Sequence, residues 1–527
     1  MRLTQITIEN FKGIRDRVEI PLRPVTLLFG ANSAGKSTML QALLYLRELL
    51  ERQNADADVL SAGGTAIHLG GFRQLVHQHD LGRVIRVGVT LELDDDGLPE
   101  YELPYVPAGS EANRAVAFSF RLQTVSLEIE VAWHAQAGAP RIRCYTVRGD
   151  GAFMAKIELG AHGRPILSLA QYHPAFDELI AEENRYSGHH EWAGPLGFMD
   201  SAILILDHPA VIPQWHHPLR GELKEGAVNI LDDLRMLLDF LRPVVAGSGE
   251  LVLEQLRKIR YVGPVREFPD RGVSAQRTLA DDRWASGLAA WDWLGKDIDD
   301  ETHRETLARF DACLSGHDRL NLGYSVSVKA VRLLPEESEL ALLLSLLPRA
   351  SEPEDLVERI KALVEPELLS CPLVRRVIVT DLRNGAEVSP QDVGNGVTQV
   401  IPVVAGMFAP GGSILAVEQP ELHLHPAIQC RLADVFIRAL HEQENRLFIL
   451  ETHSEHLMLR LMRRVRETTE DTLTEPDLAL RTDQVVVLYA EAGADGLRLT
   501  ELPLTEDGDF SRNWPGGFFE DRAAEIF

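Results

Sequence analysis

Gly30-Ala31-Asn32-Ser33-Ala34-Gly35-Lys36-Ser37, followed by Thr38, sets two glycines four residues apart ahead of a lysine and a serine. This is the P-loop pattern. Its glycines let backbone N–H groups curl around phosphates, Lys36 reaches the terminal phosphates as a point charge, and the Ser37 hydroxyl can ligate magnesium. The flanks agree with it. Residues 25–29 (VTLLF) read as a buried parallel strand, and residues 38–48 (TMLQALLYLRE) read as a helix whose N-terminal dipole faces the phosphates. The stretch therefore predicts an α/β fold that holds a nucleoside triphosphate.

Composition narrows the class. At 527 residues and 45% hydrophobic content the chain can build a sizeable core in more than one domain. Lys plus Arg number 53 against 79 Asp plus Glu, and the net charge of -26 opposes indiscriminate coating of nucleic acid. Cys144, Cys313, Cys371 and Cys430 form no CxxC pair, which fits a reducing compartment rather than a disulfide scaffold or a zinc ribbon. The opening MRLTQITIENFKGIRD lacks an apolar core of signal-peptide length, and the greasiest run, residues 340–347, is too short to span a bilayer. A cytoplasmic protein with no membrane role of its own is the expectation.

Residues 2–8 alternate like a half-buried strand, and a second strand is expected near 18–20. Further alternating segments at 85–93, 117–122, 125–133 and 142–147 predict an antiparallel β lobe over 81–160. Residues 161–370 read as a helical insertion, with helices expected at 227–242, within 278–347 and at 353–364. From 371 to 527 the pattern is strand, loop, helix, strand, as in a parallel sheet with right-handed crossovers. Residues 1–80 and 371–527 thus supply the two parts of one nucleotide-binding head. No heptad array of coiled-coil length interrupts it.

Residues 413–418 (SILAVE) are an apolar run ending in a carboxylate, which puts Glu418 at the end of a strand beside the P-loop, where it can hold the magnesium shell. One helix later, 447–454 (LFILETHS) leads into His453. Upstream, Gly394, Asn395 and Gly396 precede a helical run suited to backbone contact with phosphate.

These elements, in this order, resemble the soluble branch of the ATP-binding-cassette ATPases that includes RecF, the structural-maintenance-of-chromosomes heads and the OLD (overcoming lysogenization defect) family. IENFKGI, GANSAGKST, DVGNGVTQVIP, EQPELHLHP and ETHSEH are most similar to OLD-like AAA-type ATPases of bacterial defence islands, and YVGPVRE and WPGGFF look like phrases of a subgroup of them. The resemblance implies an ABC-type head with a mixed, largely parallel core sheet, an antiparallel lobe and a helical lobe. It makes Gly30, Ala31, Asn32, Ser33, Ala34, Gly35, Lys36, Ser37 and Thr38 the Walker A loop and Glu418 the Walker B acid. Gly394, Asn395, Gly396 and Gln399 become the signature segment that caps the γ-phosphate of a second subunit, His425 and Pro426 an interface loop, and His453 the switch histidine. Gln74 is the candidate for a glutamine that contacts magnesium and the attacking water. ATP and Mg2+ are the implied cofactors, and a homodimer or higher homo-oligomer the implied assembly.

The match departs from the family in one place. Relatives end the Walker B strand in Asp-Glu, and here the pair is Glu418-Gln419. A glutamine orients water but cannot accept its proton, which removes general-base assistance worth roughly 100-fold. Three readings stay open: slow hydrolysis with Gln419 orienting water, Glu421 as the working base, or a clamp that binds without turnover. Residues 485–491 (VVVLYAE) read as a sheet edge, not as the start of a metal-binding nuclease domain. The expected role is an ATPase that regulates a separately encoded effector, a nuclease or toxin, in anti-phage defence. A RecF-like repair ATPase and a nucleotide-dependent scaffold are the alternatives. Arg460, Arg463, Arg464 and Arg466 form a stripe that meets DNA or an acidic partner, or else a solvated face that neutralises nearby acids.

Overall fold

The computed structural model describes the chain except residues 32–33, 59–68, 104–115, 118–119, 161–162, 171–172, 177–203, 224–230, 270–280, 297–299, 347–356, 359, 363, 365–369, 372, 494–495, 513 and 515–527. Asn32 and Ser33 of the P-loop lie outside the described residues, as do half of the residues of the helix expected at 353–364 and all but Trp514 of WPGGFF.

Strands Ile259–Val262, Ile414–Glu418, Leu447–Glu451, Val25–Gly30 and Val485–Gly493 lie side by side in that order, all parallel, and Gly496–Leu502 closes the sheet antiparallel. These are near-continuous apolar runs because both faces of the sheet are covered. Alternate residues serve different cores. Leu28, Ile414, Ala416, Ile449, Val486 and Leu488 pack into one cluster with the P-loop helix Ser37–Arg52. Val25, Leu27, Phe29, Leu415, Val417, Phe448, Leu450, Val485 and Val487 pack into the other, against helices Asn395–Phe408, Pro426–Glu442 and Glu455–Thr469.

The first two strands, Arg2–Glu9 and Val18–Pro21, belong to a second, antiparallel sheet of nine strands, which continues through Val84–Glu92, Thr124–His134, Ala139–Gly149 and Ala152–Leu159. The β lobe is therefore wider than residues 81–160. It runs on into Pro165–Leu169, Leu204–Leu206 and Gly221–Leu223, inside the segment expected to be helical, because each of these short strands pairs antiparallel with the one before it. Residues 161–370 also contribute the core strand Ile259–Val262 and the strand Tyr324–Arg332, which pairs with Leu373–Asp381. Val485–Gly493 is likewise not the sheet edge: a hairpin back to Gly496–Leu502 covers it.

Gly30 shows why the P-loop begins with glycine. Its φ is +149°, and a Cβ there would sit 2.3 Å from the Ala490 carbonyl oxygen on the neighbouring strand. Gly30→Ala is therefore expected to lower unfolding stability by about 2 kcal/mol or more through backbone displacement. Urea titration checks this, and a variant within about 0.5 kcal/mol of wild type contradicts the close approach.

Candidate nucleotide and magnesium site

Glu418 and Glu451 end adjacent parallel strands and are paired in register, and Glu451 is in turn paired with Leu28 of the P-loop strand. The carboxyl ends of three strands therefore converge on one crevice, the usual place for a ligand in an open α/β sheet. Ser37, the first residue of its helix, donates its hydroxyl to Glu451 Oε2 at 2.7 Å. Lys36 Nζ folds back on its own loop, donating to the Gly30 and Ala31 carbonyls at 3.1 and 2.9 Å, and stands 3.9 Å from Glu451 Oε1.

The electrostatics of the crevice follow from burial. Lys36 is only 4% exposed, and burial lowers its pKa despite the opposing charges of Glu451, Glu418 and Glu421. Burial, reinforced by the charge of Glu418, pushes Glu451 up to about 7. His453, two residues beyond Glu451, is lowered by burial and then by the charge of Lys36.

After Glu418 the chain turns sharply, with Gln419 at φ +48° and His423 at φ +61°. Non-glycine residues in this region are strained, and such strain gathers where a loop has a job to do. The turn is held from beneath. Glu421 accepts from the Thr452 hydroxyl and the His453 backbone N–H, each at 2.8 Å, and the Gln419 N–H donates to the Glu451 carbonyl at 2.7 Å. Both oxygens of Glu421 are thus occupied, and burial raises its pKa. His425 is exposed and caps helix Pro426–Glu442, its Nδ1 accepting from Ala427 N at 3.2 Å.

The signature segment approaches the same loop. Gly394 and Asn395 lie exposed at the start of helix Asn395–Phe408, and a Cβ on Gly396 would meet the His423 carbonyl oxygen at 2.5 Å. Gln399, one turn into the helix, is buried, and its amide donates to the Arg266 carbonyl at 2.9 Å. Gln74 is exposed in the short helix Gly71–Leu75, beside Lys12, Gln78 and His79, and forms no hydrogen bond with Lys36, Ser37 or Glu418. Neighbouring His77 hydrogen-bonds the Lys12 carbonyl and His79 the Arg73 carbonyl, as polar loop residues do.

Three residues were missed by reading the sequence. Glu451 ends LFILE just as Glu418 ends ILAVE, and that parallel was the available signal. Tyr261 donates its hydroxyl to Glu418 Oε1 at 2.6 Å. Arg266, 3% exposed, donates to the carbonyls of Gln399, Glu418 and Gln419 at 3.1, 2.6 and 3.1 Å, and burial lowers its pKa to about 10. Both come from the phrase YVGPVRE, whose partners lie more than 130 positions away.

The arginine stripe is largely spent inside the fold. Arg460 and Arg464 reach the buried Asp434 at 2.6 and 2.8 Å, and Arg463 and Arg464 pair with Glu467, each at 2.6 Å. Among the described residues no helix is long and apolar enough to cross a membrane, and no group of three or more His, Cys, Asp or Glu side chains gathers as a metal cluster. The donors at the P-loop are instead two carboxylates and a hydroxyl, the hard oxygen ligands that suit magnesium.

A family model described as an AAA ATPase domain matches residues 1–69, and one described as an AAA domain, putative AbiEii toxin, Type IV TA system, matches residues 283–459. No curated protein matches. Among solved structures the chain is similar to an SmcHead bound to the C-winged helix domain of ScpA, with TM-score 0.41 and 12% identity over 96% of this chain and 99% of that one. It is also similar to an Smc head domain with an extended coiled coil bound to the C-terminal domain of ScpA, derived from Pyrococcus furiosus, with TM-score 0.38 and 12% identity over 95% and 96%. A third is the SMC head domain from Thermotoga maritima, with TM-score 0.36 and 9% identity over 96% and 100%. The two sequence matches fall on the segments that the parallel sheet brings together around the P-loop. The chain has an α/β fold whose parallel sheet leads into a P-loop, and its matched segments are those of AAA ATPase domain models.

Proposed function

We propose that this chain binds Mg-ATP, hydrolyses it slowly, dimerises around it, and through that cycle regulates a separately encoded nuclease or toxin in bacterial anti-phage defence, in the cytoplasm. The observation that carries the nucleotide reading is the convergence of Lys36, Ser37, Glu418 and Glu451 in one crevice. The head draws on residues 1–80, the core strand Ile259–Val262 and 371–527, with the nine-stranded β lobe and the helices within 231–346 beside it. Dimerisation is supported by the exposed start of helix Asn395–Phe408, whose first N–H groups lack intrahelical partners and suit a phosphate brought by a second subunit. The second matched model describes its AAA domain as a putative toxin of a Type IV TA system, which supports a setting in which such an ATPase works with a cognate protein. Slow turnover follows from Gln419 and from the fully engaged Glu421. Direct DNA binding, as in a RecF-like reading, loses the support of the stripe once Arg460, Arg463 and Arg464 are paired with acids.

Lys36→Ala is expected to weaken binding of a fluorescent ATP analogue by about 100-fold, because a desolvated ammonium is removed from the phosphates. In sedimentation, ATP with magnesium should convert wild-type monomer to dimer and leave the variant monomeric. Equal affinities in the two proteins sink the nucleotide reading, and a wild type that stays monomeric in saturating Mg-ATP sinks the dimer.

A further inference from the structure

We infer that Glu451 is the second carboxylate of the magnesium site, supplying from the neighbouring strand the acid that position 419 lacks. The inference rests on the nucleotide reading above and says which side chains hold its metal. Glu418 and Glu451 are register partners on parallel strands, so their side chains leave the sheet on the same face. Both follow wholly buried apolar runs, so each carboxylate stands where its strand gives way to the crevice.

Ser37 fixes the position of Glu451 relative to the metal. The P-loop serine hydroxyl is itself the magnesium ligand in this motif. Its Oγ lies 2.7 Å from Glu451 Oε2. Adjacent ligands of an octahedral magnesium, each about 2.05 Å from the ion, are separated by about 2.9 Å. The observed pair therefore has a spacing that two neighbouring positions in that shell would accept, and a bound ion would need the hydroxyl to turn its proton away from the carboxylate.

The other acids near the strand ends are committed elsewhere or absent. Position 419 is an amide, and its backbone N–H is used on the Glu451 carbonyl. Glu421 is tied through one oxygen to Thr452 and through the other to the His453 backbone, beneath the crevice. It is a positioning residue for the switch turn. Glu418 and Glu451 remain as two carboxylates on neighbouring strands facing Lys36, and a divalent ion between them relieves their mutual repulsion.

The test reads metal-dependent binding, not turnover. ATP affinity is measured by calorimetry for wild type, Glu451→Gln and Glu451→Asp, in EDTA and in excess Mg2+, and bound Mn2+ is followed by electron paramagnetic resonance. Glu451→Gln is expected to bind metal-free ATP as tightly as wild type or more so, since a negative charge leaves the phosphate site. It should lose the magnesium-dependent gain in affinity by about 10-fold or more and broaden or abolish the bound-Mn2+ signal, with partial recovery in Glu451→Asp. If Glu451→Gln binds metal-free ATP yet keeps the wild-type magnesium gain and Mn2+ signal, the inference is overturned while the nucleotide reading stands. If wild type itself binds ATP no better than Lys36→Ala, the nucleotide reading has failed and takes this inference with it. Should Glu451→Gln fold poorly, Glu451→Asp decides: an unchanged magnesium gain in wild type and Asp variant, across a one-methylene shortening, speaks against direct ligation.

Discussion

Arg266→Met is expected to lower unfolding stability by about 3–5 kcal/mol and to uncouple the signature helix from the loop after Glu418. The arginine is almost wholly buried, and its guanidinium forks between the Gln399 carbonyl on helix Asn395–Phe408 and the Glu418 and Gln419 carbonyls at the end of strand Ile414–Glu418. Gln399 returns the contact through its side chain to the Arg266 carbonyl. Methionine fills similar volume but takes these donors from the carbonyls of the buried Gln399 and Glu418 and of the half-buried Gln419, each worth about 1–3 kcal/mol when left dry. It also removes the cation that faces Glu418 and Glu421. Lysine keeps the charge but cannot fork, so Arg266→Lys should recover less than half of the loss. Urea unfolding measures the stabilities. If the arginine also couples the two elements, ATP-dependent dimerisation of Arg266→Met should weaken more than its ATP affinity does. Methionine and lysine variants that both match wild type would reduce Arg266 to a passive core residue.

That network shows where the sequence was legible and where it was not. Short-range signals read well. The P-loop, its flanking strand and helix, and the strands ending at Glu418 and Glu451 are local patterns of turn glycines and apolar runs. What escaped was pairing between distant segments. YSVSVKAVR alternates at period two, but helices on both sides hid it, and only its pairing with Leu373–Asp381 makes it a strand. The arginines of helix Glu455–Thr469 showed one helical-spacing partner, Glu467, whereas the acid that binds two of them, Asp434, sits on the adjacent helix. Gln399 belongs to the same phrase as Gly394 and Asn395, which lie exposed, yet the helix turns it inward within one turn.

Glu451 also gives the unliganded protein an unusual pH dependence. Its pKa rises from 4.5 to about 7 in the fold, first because it is buried and then because Glu418 is next to it. An acid whose folded pKa is raised binds its proton more tightly in the folded state than in the unfolded one. The folded state is therefore not penalised below about pH 4.5, loses stability as pH rises toward about 7, and carries the full cost above that. At about 1.4 kcal/mol per pH unit, the cost above neutrality is on the order of 3 kcal/mol. Glu451→Gln imitates the protonated carboxyl and can still accept the Ser37 hydroxyl, so it removes the cost. In the absence of nucleotide and metal, the variant should be more stable than wild type near pH 8 by up to about 3 kcal/mol, with the advantage shrinking toward pH 5.5. Glu421, also raised by burial, is coupled to Glu451 by charge, so relief of that repulsion in the variant adds to the difference between the two proteins. Urea titrations at three pH values measure that difference, and an advantage independent of pH, or a variant less stable than wild type near pH 8, would refute the assignment. The same comparison repeated in saturating Mg-ATP should shrink or reverse, because the ion then balances the charge that the empty crevice leaves exposed to its neighbour Glu418.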